Sequence, residues 1–120
     1  MPFELSEEEK AIQSSVREFA RKEFAPFVPQ IEEEDEIPPI VREKLKELRI
    51  TRIPFEEKYG GIGSTFTSFV VAVEEIAQVC APIANLPMEG VFSTLALRRF
   101  GTEEQKKKYM IPLGSSPVKG

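Results

Sequence analysis

The chain has 120 residues, 41% hydrophobic and 30% charged, which makes one domain around one core. Its net charge is −4, from 16 basic and 20 acidic residues. The bases are scattered among acids, which excludes the electrostatic footprint of a nucleic-acid binder, and the longest apolar run, residues 69–73, is far too short to cross a bilayer.

The amino terminus, Met-Pro-Phe-Glu-Leu-Ser-Glu-Glu-Glu, lacks a basic flank and an apolar stretch, so it does not read as a secretory signal; its acidity argues against a transit peptide. A cytoplasmic chain is expected. Ser6 with Glu9 has capping-box spacing, and three acids in the first turn suit the positive end of a helix dipole. Ile12, Val16, Phe19, Ala20 and Phe24 form the apolar stripe of this first helix, with Arg17, Arg21 and Lys22 toward its carboxyl end. Pro26 and Pro29 are expected to stop it.

Residues 32–36, Glu-Glu-Glu-Asp-Glu, lack the Asp-x-Asp-x-Asp-Gly turn that wraps oxygens round calcium, so they read as a solvated helix end or linker. Pro38 and Pro39 fit the opening turn of a second helix, whose stripe is Val41, Leu45 and Leu48. Residues 50–64 then break the helical pattern. Pro54 removes a donor, and Gly60, Gly61 and Gly63 permit positive φ, yet Ile50, Ile53, Phe55, Tyr59 and Ile62 are apolar. Each forfeits roughly 1.5–3 kcal/mol if left in water. A shaped, packed connector is expected. Its Tyr-Gly-Gly-Ile-Gly does not follow a strand and lacks a P-loop lysine, so no phosphate site is assigned.

Ser64 or Thr65 caps a third helix with Phe66, Phe69, Val70, Val73, Ile76 and Ala77 on its apolar side, and this is expected to be the most buried element. Glu74 and Glu75 diverge by about 100° round that helix, so at least one is solvated or paired with Lys or Arg. Cys80 cannot form an internal disulfide and reads as a small hydrophobe on a buried face. A fourth helix runs from Pro82 to about Phe100, bent by Pro87 and Gly90. Its apolar residues spread over a wide arc, so it meets more than one neighbour. Gly101 suits a left-handed stop, and Thr102 with Gln105 opens a last helix that ends near Pro112. Residues 113–120 have linker composition.

The absence of histidine removes the Ser-His-Asp and Cys-His arrangements and imidazole-ligated metals. No catalytic, cofactor-binding or metal-ligating residue is assigned. The fold class is all-α, an antiparallel-type bundle of about five helices with an irregular Gly/Pro connector at 50–64.

The pieces in order resemble one family. Leu5-Ser6-Glu7-Glu8-Glu9, Val16-Arg17-Glu18-Phe19-Ala20, Pro54 with Tyr59-Gly60-Gly61-Ile62-Gly63, Glu74-Glu75-Ile76-Ala77, and Phe100-Gly101-Thr102-Glu103-Glu104-Gln105-Lys106 with Tyr109 and Pro112-Leu113 are similar to the amino-terminal helical domain of acyl-CoA dehydrogenases. The resemblance implies a domain over 1–112, with 113–120 a linker toward a β-domain and a carboxyl-terminal helical domain. It further implies that those two domains hold FAD, and that a glutamate usually in the last one takes the α-proton of an acyl-CoA while hydride leaves the β-carbon for flavin N5. On that likeness the chain is a piece of a longer enzyme, inactive and without tightly bound FAD by itself. Its implied partners are acyl-CoA, the other domains, an electron-accepting flavoprotein and further copies of the subunit; no membrane or nucleic acid is among them. Met88, Glu89, Phe92 and Leu95 on the fourth helix are the implied acyl-pocket candidates. A stand-alone helical interaction module is the alternative from another class. The same domain in an acyl-CoA oxidase, nitroalkane oxidase or flavin monooxygenase is the alternative within flavin chemistry.

Overall fold

The computed structural model describes residues 4–92 and 95–114, and every regular element among them is helical. Helix α1 (Glu7–Phe19) starts where its capping box places it. Ser6 Oγ accepts from the Glu9 amide at 3.1 Å, and Glu9 Oε1 accepts from the Ser6 amide at 2.9 Å.

Pro26 and Pro29 do not stop the chain. It continues through a π-helical turn, Ala20–Phe24, and a 3-10 turn, Ala25–Phe27, into α2 (Val28–Glu34). Each proline lies in the opening turn of its segment, where an absent N–H leaves no bond unmade, and the switch of helix type reseats the ladder around the ring. The Ala25 amide reaches back to the Ala20 carbonyl, which is the wider π spacing.

Asp35 ends α2 in the left-handed region (φ 53°), and α3 (Pro39–Leu48) ends the same way at Arg49 (φ 55°). Helix α4 (Phe66–Val79) is capped by Thr65 rather than Ser64, with Thr65 Oγ1 accepting from the Ser68 amide at 3.0 Å. The fourth expected helix is two segments, α5 (Ala81–Phe92) and α6 (Leu95–Phe100). Gly101 does not take a left-handed conformation. Glycine is needed there because its amide sits 2.8 Å from the Leu97 carbonyl, and an added Cβ would lie 2.5 Å from that oxygen. Helix α7 (Glu103–Gly114) opens with the Thr102–Gln105 box and runs past Pro112 to include Leu113 and Gly114. The remainder of the expected linker, residues 115–120, lies outside the described residues. Counted as rods, with α1 running on into α2 and α5 grouped with α6, the bundle has the expected five.

Val16, Ala20 and Phe24, spaced by four, lead one face of the first rod into a core shared with Phe69, Ala72, Ile76 and Ile83. Helix α4 is heavily buried, but only one of its two apolar stripes faces inward. Phe66, Val70 and Ala77 lie on the other and are exposed, while Ser68 and Glu75 take inward positions.

The connector packs as expected for Ile50, Ile53, Phe55 and Tyr59; Ile62 is the exception, at 42% exposed. Its amides are nearly all committed. Those of Gly60, Gly61, Ile62, Gly63 and Ser64 donate to carbonyls of Glu57, Glu56, Arg52, Phe55 and Ile53, at 2.8–3.0 Å. Gly60 (φ 85°) and Gly63 (φ 76°) supply the left-handed turns. Phe55 and Tyr59 form a small second core with Leu97, and Tyr59 Oη donates to Glu103 Oε2 at 2.6 Å, tying the connector to α7. No helix among the described residues is long and apolar enough to cross a membrane.

Gly61 is the tightest point. A Cβ there would stand 2.0 Å from the Phe55 carbonyl oxygen, and backbone cannot swing aside as a flexible side chain does. Gly61→Ala is therefore expected to destabilise by about 3 kcal/mol, at the upper end of overpacking costs. Urea denaturation checks it; a midpoint equal to the parent's would contradict the packing described.

Candidate functional site

Helix α5 is built on an apolar sequence with Pro87 inside it. Pro87 cannot donate to the Ile83 carbonyl, and its burial among Ile83, Ala84, Leu86, Gly90 and Val91 holds the segment helical despite that loss. With those residues inside, Asn85, Met88, Glu89 and Phe92 fall at i, i+3, i+4 and i+7 along the outer side. Met88 is half-buried and touches the core; Glu89 is exposed and Phe92 is 48% exposed. Leu95, 42% exposed, begins the next helix. The structure thus places Met88, Glu89 and Phe92 on one stripe of α5 and puts Leu95 on a separate element.

The inward charged groups tie α1 to α4. Glu75 is 3% exposed on α4 and receives two hydrogen bonds from Arg17 on α1, Nε at 3.0 Å and Nη2 at 2.8 Å. The Arg17 hydrogen bonds outweigh burial and hold the Glu75 carboxyl below its ordinary value of 4.5. That fork leaves Glu75 a poor general base. Glu74 is exposed. At the other end of the pair Glu9, besides its capping bond, accepts from Thr65 Oγ1 at 2.6 Å, and these bonds lower its pKa as well. The sequence left at least one of the two glutamates on α4 either solvated or paired with Lys or Arg, and it placed Arg17 only as a helix-end charge. A partner 58 residues away leaves no local spacing to read.

The glycines do not make a nucleotide cradle. The amides from Gly60 to Ser64 are already bonded inside the connector, so a phosphate would find no free donors there. A groove of about 280 Å³ is walled by Ile12, Val16, Leu48, Ile53 and Ile62, and one of about 670 Å³ is edged by Glu32, Asp35 and Glu36, whose charge repels pyrophosphate. The described residues contain no group of three or more His, Cys, Asp or Glu arranged to hold a metal ion.

Residues 6–116 match the family described as acyl-CoA dehydrogenase, N-terminal domain. The chain belongs to that family. Among its relatives, probable acyl-CoA dehydrogenase YngJ of Bacillus subtilis (strain 168) is 38% identical over 122 residues, covering 100% of this chain and 32% of the relative. Butyryl-CoA dehydrogenase from Megasphaera elsdenii superposes with a TM-score of 0.85 at 33% identity, covering 96% of this chain and 31% of that one. A chain solved in work on the electron transferring flavoprotein of Acidaminococcus fermentans reaches 0.88 at 33% identity, covering 98% and 31%. This acyl-CoA dehydrogenase N-terminal domain thus spans about a third of the length of those relatives.

In the domain, the depressed pKa values set the acid limit. A carboxyl whose folded pKa lies below its unfolded value contributes stability that is complete above the unfolded value and is lost as pH falls through the folded one. Glu9, Glu23, Glu75 and Glu103 all shift downward. The melting temperature is expected to hold between pH 7 and 5 and to fall below about pH 4.5. Glu75→Gln should lower it at pH 7 and flatten the acid slope. Thermal melts followed by circular dichroism at each pH check both; an unchanged slope in the variant would remove Glu75 from the account.

Proposed function

We propose that this chain acts as the N-terminal helical domain of a flavin-dependent acyl-CoA dehydrogenase, which oxidises acyl-CoA thioesters to 2,3-enoyl-CoA. The observation that carries the reading is the family match across nearly the whole chain, from residue 6 to residue 116, with relatives that carry this region as about a third of their length. The catalytic base and the FAD-binding groups belong, in this reading, to a β-domain and a carboxyl-terminal helical domain. FAD supplies the electron acceptor there.

The residues of this chain wall the acyl pocket and seat the other domains. Met88, Glu89, Phe92 and Leu95 are the proposed wall. Phe92 and Leu95 offer apolar surface to an acyl chain or to the residues packed beside it, and Met88 adapts its shape between core and outer face. The exposed stripe of α4, Phe66 and Val70, and the side chains of Phe100 (80% exposed) and Tyr109 are further apolar surface with no cover among the described residues. Such surface is what a docking domain buries. An electron-accepting flavoprotein, a homo-oligomeric enzyme and a cytoplasmic setting complete the proposal.

The test replaces the corresponding third of Bacillus subtilis YngJ with this chain. The chimera is expected to retain FAD, to bleach on addition of an acyl-CoA, and to respond to Phe92→Ala with a raised KM for acyl-CoA of about three- to tenfold, the scale of one lost apolar contact. The isolated chain should retain no flavin through gel filtration and bleach none. Stoichiometric flavin on the isolated chain, reduced by an acyl-CoA, would overturn the division of labour; a chimera that folds but stays colourless would favour the interaction-module alternative.

A further inference from the structure

Helix α6 has six residues, too few to hold itself helical in water, so its place is set by what it touches. Leu97, half-buried, packs on Phe55 and Tyr59 of the connector, and Arg98 Cζ stands 6.0 Å from the centre of the Phe55 ring. At the exit of α6 the Gly101 amide closes on the Leu97 carbonyl at 2.8 Å, and a Cβ on Gly101 would lie 2.7 Å from Leu97 Cδ1. Two residues further on, Glu103 Oε2 accepts from Tyr59 Oη at 2.6 Å and lies 3.5 Å from Lys58 Nζ. Burial and that hydrogen bond keep the phenol above its ordinary value of 10.0, so it stays a donor. These contacts close a ring. It runs from the Tyr59 side chain through Leu97 and Gly101 to Glu103 and back to the Tyr59 hydroxyl.

Leu95 rides on this ring. It stands two positions before Leu97, about 200° round the helix, so Leu97 turns to the connector while Leu95, 42% exposed, turns away from it. A helix this short moves as one body, and a shift at Leu97 is passed on to Leu95. Apolar packing of Leu97 resists separation from the connector but has no direction, whereas the hydroxyl–carboxylate bond has one and fixes where α6 ends. We infer that Tyr59 is a positioning residue for the acyl pocket: through Leu97 and Glu103 it sets where Leu95 stands relative to the stripe of Met88, Glu89 and Phe92, and so which acyl chains fit. The inference rests on the proposed place of Leu95 in the pocket wall. Tyr59 is fully buried and acts only through its neighbours.

The test uses the YngJ chimera, with octanoyl-CoA and butyryl-CoA as probes and kcat and KM measured for each. Tyr59→Phe keeps the ring and its packing and removes only the hydroxyl. It should change the octanoyl-to-butyryl ratio of kcat/KM about threefold or more, through KM, with kcat for the better substrate unchanged. Glu103→Ala should shift the ratio in the same direction. Glu103→Gln, which keeps an acceptor for the hydroxyl, should leave it near the parent's, and Tyr59→Phe combined with Glu103→Ala should go no further than either alone. Lys44→Met is the control: it breaks the ion pair of Lys44 with Glu23, between α3 and the π-helical turn, and should lower the melting temperature without moving the ratio. A working chimera whose ratio is unmoved by Tyr59→Phe and Glu103→Ala, additive effects in the pair, or an equal shift in Lys44→Met would each overturn the positioning role and leave the domain reading in place. An unmutated chimera that retains no FAD and bleaches with neither acyl-CoA would overturn the domain reading, and this inference with it.

Discussion

The packing of α1 against α4 governs the rest of the domain, and a carboxylate fixes each end of that contact. Glu9 meets Thr65 near the starts of the two helices, and Arg17 meets Glu75 further along both. The step of eight positions from Glu9 to Arg17 and that of ten from Thr65 to Glu75 cover similar lengths of helix, so the two rods run parallel and in fixed register. Apolar burial drives them together without direction; the two polar clamps select one sliding position. Everything between them in sequence, from the π-helical turn to the connector, has to return the chain to the same end of the bundle.

That return explains the connector. A connector whose only regular pieces are two 3-10 turns, Ile50–Arg52 and Glu57–Tyr59, has to satisfy much of its own backbone, and the glycines let it do so by folding amides 60–64 onto carbonyls of residues 52–57. The result is a rigid spacer. Phe55 and Tyr59 anchor it beneath Leu97, and Tyr59 reaches Glu103, so the position of α7 depends on the same segment that joins α3 to α4.

Local rules were legible in the sequence and distant ones were not. The boxes at Ser6–Glu9 and Thr102–Gln105 close as their spacing says, because both partners lie within one turn. The connector and the five rods follow from periodicity and from the placement of Gly and Pro. Pro26 and Pro29 misled because a proline forbids only an interior donor, and a change of helix type turns each position into an opening one. The apolar residues of α4 gave two adjacent stripes, and composition does not say which one meets the core; the inward Glu75, once paired with Arg17, shows it. At the candidate face, sequence placed Leu95 with the other three by assuming one continuous helix, whereas it belongs to the next segment.

Asp35 and Arg49 carry a further consequence. Both hold a left-handed backbone with an ordinary side chain, where a Cβ crowds the neighbouring carbonyl and glycine or asparagine rests more easily. The scaffold thus keeps an untapped reserve of stability at the ends of α2 and α3, within reach of conservative engineering that leaves the core and the outer stripe of α5 untouched.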